Sequence, residues 1–263
     1  MDTTEIKQIP PVTPLKVDIQ RDVGSRFIQI EGMDGAGKTS FIEALAKTLR
    51  IWGKKVIVIR MPGGIVPDEH TTPPFVDGGE DIRRFFLANR KSFHEDSALF
   101  LVLAAYRDHL IKTVRPFLDE GGYVLCDRGI ATMGAYHNIL LHSNQVPAAT
   151  LVGHQEYLLA SQYPVGVYLD VDFETSISRM NRREEDKDVD SKILDITQRD
   201  RFEKTRRSML QMLDSHAILY SKRHRFDMDQ IGGDGTAEGF TSFLHAHFIP
   251  KVMPDLAAQY LPT

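Results

Sequence analysis

Asp34, Lys38 and Thr39 stand in the stretch Glu31-Gly32-Met33-Asp34-Gly35-Ala36-Gly37-Lys38-Thr39, and residues from Gly32 to Thr39 fit the spacing G-x-x-x-x-G-K-[ST]. Glycines at 32, 35 and 37 let a backbone wrap closely around a polyphosphate, so that successive N–H groups point at the anion. A helix-forming run follows (Phe41-Ile42-Glu43-Ala44-Leu45-Ala46-Lys47), and its N-terminal end, with Ser40, adds positive potential at the same place. Lys38 is placed to reach β- and γ-phosphates and Thr39 to hold Mg²⁺. The chemistry these types serve is binding of a nucleoside triphosphate.

A second pair with chemical potential is Asp127-Arg128, directly after the apolar run Tyr123-Val124-Leu125-Cys126. The aspartate can hold Mg²⁺ directly or through water, and the arginine can fork onto a phosphate in bidentate fashion. Arg107 ends the run Ala98-Leu99-Phe100-Leu101-Val102-Leu103-Ala104-Ala105-Tyr106, which is apolar on every side and is therefore expected to be buried. A charge at such a helix end needs a partner, and a ligand serves that need as well as a surface ion pair does.

The elements that must position these residues alternate along the chain. Short runs rich in β-branched residues at 28–31, 55–59, 123–126 and 165–171, with a weaker one at 225–228, are separated by helical periodicity. That pattern predicts an α/β domain, a five-stranded parallel sheet with helices on both faces, whose ligands sit at the carboxyl ends of the strands. With 263 residues and 42% hydrophobic content, one domain over 26–248 accounts for the chain, after a proline-bearing extension at 1–25 and before a tail at 249–263. The segment from Met61 to Gly79 is a long loop rich in glycine and proline, a length usually tied to function.

A net charge of −4 gives no bulk basic footprint for nucleic acid, and no apolar run reaches the roughly 18 to 20 residues of a membrane span. With no signal-peptide pattern at the start, a cytoplasmic protein is expected. The single cysteine, Cys126, excludes an internal disulfide framework and reads as a buried, inert thiol. His245 and His247 lack a third ligand in sequence, so no protein-built metal centre is expected.

Taken in order, these segments resemble the thymidylate kinase family. Phe27 to Thr39 is similar to its opening F-I-x-x-E-G-x-D-G-A-G-K-T, and Arg60-Met61-Pro62-Gly63-Gly64 to its R-E-P-G-G loop. Leu99 to Arg107 resembles its apolar helix ending in a base-reading arginine, and Asp127-Arg128 with Thr132, Ala135 and Tyr136 resembles D-R-Y-x-x-S-x-x-A-Y. Val167 to Val171 resembles its fourth strand, and the arginine-rich run from Arg179, to about residue 195, its lid.

The resemblance implies a P-loop kinase fold and transfer of the γ-phosphoryl group of ATP, with Mg²⁺, onto deoxythymidylate (dTMP). Small nucleotides would be its partners, and a homodimer through apolar helices near Arg107 its assembly. It places Gly32, Asp34, Gly35, Ala36, Gly37, Lys38, Thr39 and Ser40 at ATP, and Thr39, Asp34 and Asp127 at the metal. Arg60, Pro62, Leu103, Arg107, Asp127, Arg128, Thr132 and Tyr136 would surround the acceptor, with Tyr136 disfavouring a ribose 2′-hydroxyl. Lys38, Asp34 and Arg128 would be catalytic, and because Ala36 stands where some members carry arginine, the lid would supply the last charge from Arg182 or Arg183, with Arg179 a further candidate. The later cluster Arg199, Arg201, Lys204, Arg206 and Arg207 reads as a solvated helix face.

The chain departs from the family at Leu103, where a phenylalanine usually stacks on thymine; Phe100 lies about 10.5 Å from Arg107 along a helix, too far to replace it. Met61, Met133 and His137 replace further polar positions. Two other readings follow: a kinase of another or modified deoxypyrimidine, such as 5-hydroxymethyl-dUMP or a modified base in DNA, and a nucleotide-binding scaffold without catalysis.

Overall fold

In the computed structural model, residues 26–66, 78–136, 164–185, 199–215, 220–229 and 237–261 are described. Five strands form, β1 (Phe27–Glu31), β2 (Val56–Arg60), β3 (Tyr123–Asp127), β4 (Val165–Asp170) and β5 (Lys222–Asp227). All pair in parallel, in the order β2-β3-β1-β4-β5. Helices within the described residues are α1 (Lys38–Ile51), α2 (Gly78–Asn89), α3 (Glu95–His109), α4 (Arg115–Asp119), α5 (Ile130–Tyr136), α6 (Phe173–Glu185), α7 (Arg199–Ser215), α8 (Ala237–Phe243), α9 (Ile249–Val252) and α10 (Pro254–Tyr260). Wide turns at Leu110–Val114 and Leu244–Phe248 join α3 to α4 and α8 to α9.

This is the expected α/β fold, and its topology explains where a site must lie. Crossovers between parallel strands are right-handed, so α1, which leads toward β2, covers one face, and the helices leading back toward β5 cover the other. The chain reverses direction across the sheet at β1, and the crevice opens beyond the carboxyl ends of β1, β3 and β4. β1 is buried at every position, as a central strand covered on both faces must be. Its two polar residues, Gln29 and Glu31, therefore need internal partners.

Three expectations change. β5 begins at Lys222, ahead of the expected Arg225, since an edge strand can be charged rather than β-branched and is protected by those charges. The run from Ala98 to Ala105 is amphipathic in its surroundings: Leu99, Val102, Leu103 and Ala105 are buried, but Phe100 is 56% exposed. The domain also continues past residue 248. Ile249, Val252, Met253 and Leu256 are buried, and the Tyr260 ring stacks on Trp52 at 4.8 Å, because the C-terminal helices close the apolar face of α1. Phe41 of α1 meets Phe240 at 6.1 Å and Phe248 at 4.9 Å in edge-on contacts that bind these layers together.

Candidate active site

The loop between β1 and α1 supplies the first part of the site. Gly35 adopts φ 79°, and a Cβ there would stand 2.5 Å from the Ser176 carbonyl oxygen of α6, so both conformation and space demand glycine. Ser176 Oγ donates to the Asp34 carbonyl at 2.6 Å, tying the loop to α6. Gly32, Ala36 and Gly37 are buried, Ser40 is half-buried, and Thr39 is exposed at the first turn of α1.

Lys38 is buried, with its ammonium donating to the carbonyls of Gly32 at 3.0 Å and Met33 at 2.8 Å and standing 3.9 Å from the Asp34 carboxylate. Burial first, and then the nearby Arg128 guanidinium, lower its pKa from 10.5 to about 8. An anion beside it reverses both penalties, which is the electrostatic condition for a phosphate-binding lysine.

β3 carries the second part. Asp127 is buried at the strand's end; its Oδ2 accepts from Arg60 Nε at 3.2 Å, while Oδ1 is buried without a hydrogen-bond partner among the described residues. Arg128 turns into the left-handed region at φ 70° and pairs with the Asp34 carboxylate, linking the two halves of the site. Burial alone would weaken its charge, but Asp34 outweighs this and raises its pKa. Its Nη1 is buried and unpartnered among the described residues, and its guanidinium lies 5.7 Å from the Tyr136 ring centroid. An unmatched carboxylate oxygen and an unmatched guanidinium nitrogen at one strand end suit a divalent cation and a phosphate oxygen respectively. The donor set fits Mg²⁺: Asp127 Oδ1 and the exposed Thr39 hydroxyl are hard oxygen ligands, while Asp34 is engaged by Arg128.

Arg83 is a further cation close enough to feel Asp127 and was not expected from the sequence. This α2 residue is half-buried, its Nε lacks a partner among the described residues, and burial followed by the charge of Arg60 lowers its pKa. Asp127 thus bonds Arg60 and acts electrostatically on Arg83 and Arg128. No motif flagged Arg83, because Ile82-Arg83-Arg84 reads locally as an ordinary amphipathic helix face.

The other expected residues divide. Arg107 is half-buried in the last turn of α3, Pro62 is half-buried, Leu103 is buried within the core, and Tyr136 is 41% exposed. Thr132, expected at the acceptor, is buried and gives its hydroxyl to Glu31, since an unpaired carboxylate in the core claims every nearby donor. Arg179 is not a free lid residue: it donates to the carbonyls of Gly35 at 3.4 Å and Met228 at 2.9 Å, so it braces the phosphate loop. The expected lid boundary at residue 179 therefore falls inside α6, which runs on to Glu185 and carries Arg182 and Arg183 in its backbone. Residues 186–198 and His137 lie outside the described residues.

The basic cluster of α7 is also more than a solvated face. Arg206 donates to Asp170 at 2.7 and 2.9 Å, and Arg225 of β5 donates to the same carboxylate at 2.9 Å. Burial would push the Asp170 carboxyl up, but the two guanidinium hydrogen bonds outweigh it and hold it below its usual value. Cys126 is buried as expected, and burial pushes its thiol well up. No cluster of metal-ligating side chains and no helix long and apolar enough to cross a membrane occurs among the described residues.

The geometry agrees with what the chain resembles. A family model described as thymidylate kinase matches residues 30–224. A thymidylate kinase of Alcanivorax borkumensis is 32% identical over 61% of this chain and 72% of its own length, and one of Enterococcus faecalis is 32% identical over 67% and 79%. A thymidylate kinase of Nitrosomonas eutropha is 33% identical over 59% of this chain, which spans 66% of that relative. The crystal structure of thymidylate kinase from Ehrlichia chaffeensis shares the fold, with a TM-score of 0.56 at 21% identity over 84% of this chain and 97% of the other. These similarities favour the leading reading over a kinase of a base in DNA and over a scaffold. With a parallel sheet in the order 2-3-1-4-5 and a family match over most of its length, the chain belongs to the thymidylate kinase family of nucleoside monophosphate kinases.

Proposed function

We propose that this protein transfers the γ-phosphoryl group of ATP to dTMP, giving ADP and dTDP, with Mg²⁺. The observation that carries the reading is the pair of unmatched buried atoms, Asp127 Oδ1 and Arg128 Nη1, at the strand end facing the phosphate loop. Phosphoryl transfer through a loose transition state needs alignment and charge placement more than covalent chemistry. Lys38 and the loop N–H groups hold the donor's phosphates, and Arg128, with Arg60 and Arg83 beside it, draws the acceptor phosphate toward them against like-charge repulsion. Asp34 fixes the Arg128 fork in place. Thr39 and Asp127 would hold Mg²⁺, which would supply positive charge against the donor's phosphates. Arg182 or Arg183 would bring the last positive charge to the transferred group, a contribution of roughly 10³- to 10⁵-fold in rate. Leu103 offers an aliphatic floor to the base, Arg107 a donor to its carbonyl edge, and Pro62 and Tyr136 frame the acceptor.

The reaction belongs in the cytoplasm, where nucleotide pools lie, and the enzyme works as a homodimer. Phe100 on α3 and Phe85 on α2, 56% and 54% exposed, are apolar surface that a second copy would cover. The deciding experiment is ADP formation with a panel of nucleoside monophosphates. Turnover stimulated most by dTMP is expected. A preference for 5-hydroxymethyl-dUMP would move the assignment to modified pyrimidines, and the absence of acceptor-stimulated turnover would refute it.

A further inference from the structure

The buried polar face of β1 has no place in the chemistry above, yet it touches both acceptor arms. Gln29 and Glu31, two residues apart on one strand, project to the same side. The Glu31 carboxylate is fully buried and accepts from the backbone N–H of Ala131 at 2.9 Å and Thr132 at 3.2 Å, from the Thr132 hydroxyl, and from the Tyr220 hydroxyl at 2.9 Å. Three of those donors are in the first turn of α5, which starts two residues after Arg128. Gln29 Nε2 donates to the Tyr106 hydroxyl at 2.6 Å, and Tyr106 immediately precedes Arg107. Between the two side chains runs Gly129, where an added Cβ would stand 2.3 Å from Gln29 Oε1 and 2.8 Å from Glu31 Oε1.

A carboxyl group in a protein core is costly unless its oxygens find donors, and a non-glycine residue in the left-handed region is strained. Both costs meet at this place. Arg128 keeps φ 70° because its own N–H bonds Ile30 at 2.9 Å on one side and α5 is anchored by Glu31 on the other. A turn of that kind, released from its anchor, relaxes and carries the guanidinium away.

We infer that Gln29 and Glu31 are positioning residues for acceptor recognition, Glu31 holding the phosphate arm through α5 and Arg128, and Gln29 holding the base arm through Tyr106 and Arg107. This rests on the acceptor being a pyrimidine nucleotide, as proposed above. The hydrogen bonds that hold the two side chains run to α5, Tyr220 and Tyr106. A misplacement of about 1 Å at such a site can cost roughly 100-fold, so their removal affects acceptor binding first.

Calorimetric binding of thymidine, dTMP and ADP, each to the full-length protein, separates the two arms. Glu31→Gln keeps the volume but replaces one acceptor oxygen by a donor; it is expected to weaken dTMP at least tenfold, with thymidine and ADP within about twofold. Tyr106→Phe removes only the hydroxyl that Gln29 bonds and is expected to weaken thymidine and dTMP by the same factor, again sparing ADP. Thr132→Val, which deletes one Glu31 donor, serves if Glu31→Gln does not fold, and should weaken dTMP more than thymidine. Equal loss of all three ligands by a folded variant, or no loss of either acceptor, overturns the inference. Wild-type binding of dTMP over other monophosphates reads the substrate assignment separately from the variants.

Discussion

Lys38 is the residue at which stability and function pull apart. Its folded pKa, about 8, lies below the ordinary 10.5, so the unfolded chain binds the proton more readily than the folded one between those values. The penalty is complete below about pH 8 and is relieved as the pH rises toward 10.5, so the contribution of this group to stability increases over that window. A bound polyphosphate favours the ammonium, and ADP affinity should fall as the pH rises above about 8. Lys38→Met should abolish turnover without lowering the melting temperature of the nucleotide-free protein at pH 7; activity that survives, or a large loss of stability, would contradict this account. Tyr220, beside Glu31, shows the opposite economy, since burial and then that carboxylate push its phenol well up and keep it a hydrogen-bond donor.

At the scale of elements, two junctions hold the site. Asp170 at the end of β4 gathers Arg206 from α7 and Arg225 from β5, so the helix after the lid region and the edge strand are fixed to the strand beside the phosphate loop. With its folded value depressed, the Asp170 carboxylate adds stability that is present above the unfolded value near 3.9 and is lost as the pH falls through the folded one. Asp170→Asn should cost about 2 kcal/mol at pH 7, below the 3–5 kcal/mol of a fully buried pair because Arg225 is 56% exposed; the cost should fade in acid, as denaturant unfolding at pH 7 and below pH 4 would show. The second junction is the C-terminal run that covers α1. Ile249, Val252, Met253 and Leu256 are buried there, and each buried side chain of this size contributes about 1.5 to 3 kcal/mol. Deletion of residues 249–263 should therefore lower the melting temperature steeply or prevent folding, and a truncated protein as stable as the full chain would show these helices to be dispensable.

For the whole molecule, the sheet order puts the β1–α1 loop, Asp127, Arg128 and α6 around one crevice, while α2 and α3 carry exposed Phe85 and Phe100. If that surface joins two copies, Phe100→Asp should shift the protein from dimer to monomer in analytical ultracentrifugation; a wild-type monomer at micromolar concentration would exclude the assembly. The sequence by itself determined the parallel α/β plan and the family, because a strand, the stretch from Gly32 to Thr39 and a helix are contiguous and their pattern is local. It also named Asp127 and Arg128, which end a recognisable apolar run. Tertiary structure decided what depends on contacts between distant segments: that Arg128 pairs with Asp34, that Thr132 serves Glu31, that Arg179 braces the loop, and that Arg206 belongs to Asp170. In each of these a charge or hydroxyl looked solvated or ligand-bound from its neighbours in sequence. The true partner lies far along the chain, and its burial, as for Glu31 and Asp170, is invisible to local pattern and makes the interaction necessary.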